Sequence, residues 1–355
     1  MTGPTVRELR EALETQTLSP YAAHSAAAVR EQPEPDCPVR PAYQRDRDRI
    51  LHSKPFRRLK HKTQVFIAPL GDHYRTRLTH TLEVTQVART VARALRLNED
   101  LTEAIGLGHD LGHAPFGHAG ETALTRIYPE TFRHNEQSRR IVEVLERQGR
   151  GLNLTYAVRE GIYLHSKARR DIMTTAWGTA TTLEGQLIKI CDSIAYINHD
   201  IDDALRAGVL QQDQLPQDCL AVLGATHGER IGTMVNDLIR TNWWATGLAA
   251  APDERRIRMS DDILAATNRL REFMYNDVYL SPRAKTEDAK VRFVIEALYA
   301  HFLAQPQELP DELRQIGAAR GEAPARTVVD YIAGMTDRYA LEVFHRICVP
   351  RTWSL

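Results

Sequence analysis

The chain has 355 residues, with 46 Lys plus Arg against 46 Asp plus Glu. That length allows a sizeable buried core, in one large domain or a core with an appendage, and the balanced charge excludes a global electrostatic pull toward nucleic acid or a membrane surface. Cys37, Cys191, Cys219 and Cys348 are scattered and form no CxxC pair, which argues for reduced thiols and against a disulfide framework or Cys-ligated zinc. There is no apolar leader and no run of about eighteen apolar residues, so a cytoplasmic chain without a membrane span is expected.

Val6 to Leu18 reads as an amphipathic helix ended by Ser19-Pro20. Pro33, Pro35, Pro38 and Pro41 follow, so residues 1–42 read as an N-terminal helix and a Pro-rich arm. The block from Tyr43 to Phe66 is dense in charge, with Ile50, Leu51, Phe56 and Leu59 as its core face. Its alternating Arg and Asp suit a salt-bridged helix face, or cations that meet phosphates. Pro55 suggests a helix break, and Lys62 and Gln64, before a turn at Pro69-Leu70-Gly71-Asp72, suggest a rim.

Arg77 opens the clearest helix: Val84, Val87, Ala88, Val91, Ala92 and Leu95 form one apolar stripe. His80 lies on that stripe and points inward, which suits a ligand at a helix start. Asn98 reads as the N-cap of the next helix, whose apolar side is Leu101, Ala104, Ile105 and Leu107. That helix runs into Gly108-His109-Asp110-Leu111-Gly112-His113-Ala114-Pro115-Phe116-Gly117-His118-Ala119-Gly120-Glu121. Glycines and a proline make this a shaped turn between helices. Its apolar side chains are few, so a metal ion is expected to order it, since imidazole and carboxylate suit Zn, Fe, Mn and similar ions.

His134-Asn135-Glu136-Gln137-Ser138 starts a further helix and supplies candidates for acid–base work. Leu154 to His165 reads as a helix, and Leu183 to Leu205 as a long one with Leu187, Ile188, Cys191, Ile194 and Ala195 buried. Asp192 faces inward there, which is costly unless it is paired or metal-bound. Tyr196, His199, Asp200 and Asp203 continue a polar strip that suits a cavity wall. Beyond residue 206 the pattern stays helical, over Leu220–Asn242, Ser260–Val278, Thr286–Leu303 and Val328–Ile347, with Arg271, Tyr275 and Tyr279 at four-residue steps. No period-2 alternation persuades anywhere, so the fold is expected to be all-α.

His80, His109-Asp110 and Asp192 lie on three helices; two imidazoles and two carboxylates would hold one divalent ion and leave positions for water and substrate. The order His, His-Asp, Asp resembles the HD-domain phosphohydrolase superfamily. Phe56-Arg57-Arg58-Leu59 through Gln64, Arg77-Leu78-Thr79-His80, the Gly108–Glu121 stretch, His134-Asn135, Asp192 through Asp203, and Asp330 through Tyr339 sharpen this. They are similar to the dGTPase-like deoxynucleotide triphosphohydrolases, type 2 subfamily, over most of the chain from Ser19 to Tyr339. Pro55 departs from the pattern, as does Cys191 before the aspartate, without touching the chemistry. The resemblance implies an HD phosphohydrolase core over 43–206, with 207–355 as a C-terminal helical region packed on it.

The resemblance also implies a reaction in which a dNTP and water give a deoxynucleoside and inorganic triphosphate. Such a reaction needs a metal, a base, a general acid and cations for phosphate. His80, His109, Asp110 and Asp192 then match the metal ligands, for Mn, Fe, Co, Ni or Zn, with Mg accompanying the nucleotide. His113, Glu121 and His134 match catalytic residues, and His118 a phosphate-contacting or leaving-group-protonating histidine. Arg77 suits phosphate oxygens. Gln64, Tyr196 and Asp200 match the deoxyribose wall, and Arg271 and Tyr279 complete the pocket by weaker alignment. An allosteric dNTP site and a homo-oligomer, often a hexamer, are what the family suggests. Two other readings stay open: another HD phosphohydrolase acting on nucleoside monophosphates or cyclic nucleotides, and a non-catalytic nucleotide or single-stranded DNA binder using Arg45 to Lys62.

Overall fold

The structure, a computed structural model, describes residues 3–64, 75–166, 171–174, 178–280 and 282–350, with residues 282–286 described by their backbone alone. The turn expected at Pro69-Leu70-Gly71-Asp72 lies outside the described residues. The fold is all-α: the described residues contain no strand, only isolated bridges between Arg30 and Thr155 and between Thr63 and Thr76. No described helix is long and apolar enough to cross a membrane.

The chain forms two compact units. The first comprises Met1–His52, His80–His109 and Asn153–Leu280; the second comprises Ser53–Thr79, Asp110–Leu152 and Ser281–Leu355.

In the first unit the helices Ala42–Leu51, Glu99–Gly108, Tyr156–Leu164 and Leu183–Arg206 pack on one another. Leu183–Arg206 is the most buried of them, with Leu187, Ile188, Cys191, Ile194, Ala195 and Ile201 wholly inaccessible. Close packing depends on Gly161, where a Cβ would stand 2.5 Å from Ile105 Cδ1. Asn98 caps the Glu99–Gly108 helix by accepting the Leu101 N–H at 3.1 Å. The buried Glu184 carboxylate accepts the backbone N–H groups of Ala23 at 3.0 Å and Asn98 at 2.9 Å. Charges of the Arg/Asp block are neutralised from outside it: Asp46 is wholly buried against Arg30 and the Thr155 N–H, and Arg49 pairs with Glu34 at 2.7 Å.

The second unit has its own core. Phe116, Leu124, Phe132, Leu298, Phe302 and Ile332 are among its buried members, carried by the helices Gly117–Ile127, Pro282–Ala304 and Pro324–Ala333 and the loops beside them. Pro55 sits in the first turn of Lys54–Arg58, a separate short helix capped by Ser53, so the break falls between Leu51 and Lys54. Two expected helices are each divided. Leu220–Asn242 is Gln217–Leu223 and His227–Thr241, the second started by a Thr226–Glu229 capping box. Val328–Ile347 is Pro324–Ala333 and Asp337–Cys348, the latter capped by Thr336. The Asp311–Ala319 helix was not expected at all.

Asp337 accepts two backbone N–H groups, from Thr63 and Phe116, each at 2.8 Å. Removing a carboxylate that satisfies buried donors costs about 1–3 kcal/mol. Asp337→Ala is therefore expected to lower the unfolding free energy by that margin, read as a lower urea midpoint at unchanged slope; an unchanged midpoint would count against the clamp.

Candidate active site

The first unit gathers three metal-type donors. His80 lies in the first turn of Arg77–Ala94, His109 at the C-cap of Glu99–Gly108, and Asp192 midway along Leu183–Arg206. His80 Nε2 is 3.1 Å from Asp192 Oδ1, and His109 Nε2 is 4.0 Å from the same oxygen. His109 Nδ1 lies 2.7 Å from the Gly106 carbonyl, so its proton sits on Nδ1 and its Nε2 lone pair turns toward Asp192. All three are buried. Two imidazoles and a carboxylate converging in this way fit a divalent cation of the Zn, Mn or Fe kind. His165 packs edge-on against His109, ring centroids 5.0 Å apart, and is itself fixed by the Ile162 carbonyl at 2.6 Å. In the sequence His165 marked only a helix end.

Further along the same long helix, the polar strip meets the Asp261–Phe273 helix and its continuation. Tyr279 OH donates to the Asp200 carboxylate, and the Tyr196 and Tyr279 rings lie 6.2 Å apart. Tyr279 ends a π-helical stretch, Met274–Tyr279, a local widening often found at functional sites. Burial lowers the Arg271 pKa, while neighbouring Tyr196 and Asp192 oppose the shift. The unit thus brings Asp192, Tyr196, Asp200, Arg271 and Tyr279 to one place.

The second unit gathers the acid–base candidates. Asp110 divides its two oxygens: Oδ2 accepts from Arg77 at 2.9 Å, and Oδ1 faces His113 Nε2 at 3.1 Å. Glu121 accepts the His134 backbone N–H at 2.9 Å and faces His134 Nδ1 at 3.0 Å. His113 Nδ1 is 3.9 Å from Glu121, and the His113 and His134 rings stack at 4.0 Å and 10°. His118 is exposed, 6.1 Å from the His113 ring. His118 and Glu121 stand on the Gly117–Ile127 helix rather than in the turn.

Burial also orders the central stretch, which its composition alone did not indicate. Leu111, Ala114 and Phe116 are buried. Gly112 N–H donates to Ser138 Oγ at 2.8 Å, and Lys62 Nζ donates to the carbonyls of His113 and Ala333. Phe116 itself sits at φ 64, a left-handed conformation costly for a non-glycine residue. Lys62 and Gln64 are buried as well, not at a rim. Among the described residues Gln64 Oε1 has no hydrogen-bond partner.

An HD domain family matches residues 77–197, and a phosphohydrolase-associated domain matches residues 257–346. A deoxyguanosinetriphosphate triphosphohydrolase-like protein of Caldanaerobacter subterraneus is 52% identical over 98% of this chain and 97% of its own. Proteins of the same description from Desulfatibacillum aliphaticivorans and Clostridium perfringens are 47% and 45% identical, each covering 98% of this chain, and 99% and 98% of their own. The chain belongs to this deoxyguanosinetriphosphate triphosphohydrolase-like, HD-domain family. His80, His109-Asp110 and Asp192 all fall inside the HD match, and Arg271, Tyr279 and Asp337 inside the associated domain.

Within the HD match, electrostatics set the two stacked histidines apart. Burial drives the His113 pKa well below its ordinary value, helped by Arg77 and His134 and opposed by Asp110. Burial would lower His134 too, but the Glu121 carboxylate overrides it and holds that imidazole above its ordinary value. Burial would raise Glu121, yet His134, chiefly, holds its carboxyl far below the usual range. One imidazole is therefore biased toward its neutral form and its stacked neighbour toward its charged form, a separation that suits a base beside an acid.

Two outcomes follow. A Cβ at position 112 would stand 2.2 Å from Ser138 N and 2.3 Å from His134 O. Gly112→Ala must therefore shift the start of the His134 helix, and NMR is expected to show altered His134 ring resonances with lowered thermal stability. The second concerns pH. His134 is raised above 6.5 and Glu121 lowered below 4.5, so their pairing stabilises the fold fully between those values. That contribution fades as pH rises through the raised His134 value, or falls through the depressed Glu121 value. Glu121→Gln is expected to cost more stability at about pH 5.5 than at about pH 8.5; equal losses at both would contradict the pair.

Proposed function

We propose that the chain is a metal-dependent deoxynucleoside triphosphate triphosphohydrolase, converting a dNTP and water to a deoxynucleoside and inorganic triphosphate. The observation that carries the reading is the geometry of two stacked imidazoles, His113 and His134, 4.0 Å apart around the Glu121 carboxylate, which lies 3.0 Å from His134 and 3.9 Å from His113. The curated relatives, described as deoxyguanosinetriphosphate triphosphohydrolase-like, support the same reaction class.

In this reading His80, His109, Asp110 and Asp192 hold one divalent transition metal, which when bound supplies Lewis-acid polarisation of a phosphate oxygen. His113, neutral, takes a proton from the attacking water. Glu121 holds His134 protonated, and His134 returns a proton to the departing 5′-oxygen, which is a poor leaving group without it. His118, exposed at the start of its helix, takes phosphate oxygens. Arg77, already spent on Asp110 in this structure, serves phosphate by keeping that carboxylate in place or by exchanging partners.

Tyr196, Asp200, Arg271 and Tyr279 form the sugar and base wall, and Gln64 is assigned to the sugar by the family resemblance alone. The Asp200 carboxylate, held by Tyr279, suits a 3′-hydroxyl, and the Tyr196 ring would fill the space of a 2′-hydroxyl. That arrangement favours deoxyribose over ribose. The enzyme acts in the cytoplasm as a homo-oligomer.

Chromatography of the products of each dNTP and rNTP, with Mn, Mg, Fe and Co in turn, tests the reading. Inorganic triphosphate and a deoxynucleoside are expected. Orthophosphate, or turnover of monophosphates or cyclic nucleotides instead, would place the chain with another HD activity. No turnover with tight retention of single-stranded DNA would make it a binding protein. His113→Ala is expected to lose about 10²–10⁴ in kcat with metal content unchanged. Tyr196→Ala is expected to narrow the dGTP-over-GTP preference, and an unchanged ratio would remove Tyr196 from sugar selection.

A further inference from the structure

His80 is held at both ring nitrogens. Nε2 faces Asp192 Oδ1 at 3.1 Å, and Nδ1 lies 3.4 Å from Nδ1 of His199, the two rings meeting at 88°. On its far side His199 Nε2 is 3.1 Å from Glu83 Oε2. Two helices supply the whole set: His80 and Glu83 stand one turn apart on Arg77–Ala94, and Asp192 and His199 two turns apart on Leu183–Arg206. His80 and His199 are buried, whereas the Glu83 side chain is 41% exposed. The His227 ring stacks over His199 at 5.9 Å and 20°, with its Nδ1 3.3 Å from the Asn198 carbonyl.

The protons on this chain have one consistent order when His80 binds a cation. Nε2 must then offer a lone pair, so the His80 proton resides on Nδ1. That proton is donated to His199 Nδ1, which must accept, so the His199 proton resides on Nε2. From there it is donated to the Glu83 carboxylate, which only accepts. Each donor meets an acceptor, and the last of them is the partly exposed Glu83 carboxylate.

We propose that His199 and Glu83 are a positioning pair that fixes the tautomer and ring orientation of His80. The affinity of the centre for a divalent cation is thereby tuned by two residues that do not touch the ion. Outer-shell partners of ligating histidines work in this way, and losing one costs about 10–100-fold in metal affinity. The inference rests on His80 being a metal ligand.

Cobalt(II) alone is the probe. Metal-free full-length protein is titrated with Co(II), affinity being read by competition with a chromophoric chelator and geometry by the visible d–d bands. Far-UV circular dichroism and urea unfolding of the metal-free variants check the fold. His199→Leu is expected to bind Co(II) about 10–100-fold more weakly, with shifted bands, and Glu83→Gln about tenfold more weakly. His199→Asn, whose Oδ1 can accept from His80, is expected to recover most of the loss. The pair acts in series, so adding Glu83→Gln to His199→Leu should weaken binding no further. Should His199→Leu fail to fold, Glu83→Gln, at a half-exposed position, carries the test. Folded variants that bind Co(II) within twofold of the natural chain, with the same bands, would overturn the proposal while leaving the metal centre standing. A natural chain that takes up no cobalt would overturn both.

Discussion

A charge taken out of water must find a partner, because an uncompensated buried ion costs several kcal/mol. This chain buries many such groups, and their pairing decides much of its architecture. Asp46 meets Arg30, Asp110 meets Arg77, and Asp192 meets His80. Glu184 and Asp337 meet backbone N–H groups instead. Structural and chemical carboxylates differ in what answers them. Amide donors are fixed and saturating, which suits an anchor. Imidazoles can change protonation and ligation, which suits a centre that must exchange ions and protons.

The same constraint explains which parts of the molecule could be read from its residues. The stripe from Val84 to Leu95 placed His80 inward, and Asn98 announced its helix, because both signals are local. The inward bearing of Asp192 followed from the apolar residues around it on one helix. All-α character was equally plain, since helical periodicity needs no distant partner. Lys62 was misread because its acceptors, the carbonyls of His113 and Ala333, are 51 and 271 residues away. A lysine in a basic run looks solvated until those carbonyls are known.

The central stretch was misread in the same direction. Its composition suggested a loop too polar to bury, yet Ser138, Asp337 and Lys62 satisfy its backbone, and Leu111 and Phe116 fill core space. Counting apolar residues understates burial when polar groups are met by remote partners. His199 shows a further limit. Helical spacing put it on the strip beside Asp192, but its partner Glu83 reads as an ordinary surface charge one turn beyond His80.

Glu184 gives the first unit an unexpected dependence on its own beginning. One carboxylate oxygen serves both the Ala23 amide, in the segment after the first helix, and the Asn98 amide that opens the helix ending at His109. The opening segment is thereby stitched to the helix that carries a candidate ligand, some way from that ligand. A shortened polypeptide lacking the residues through Ala23 would leave a buried carboxylate short of one donor and the mouth of that helix less firmly seated. Extra sequence added ahead of the Val6–Thr17 helix, which buries none of its residues, would disturb neither. The segment at Ala23 is thus needed where it stands, while the Val6–Thr17 helix before it leaves room for added sequence.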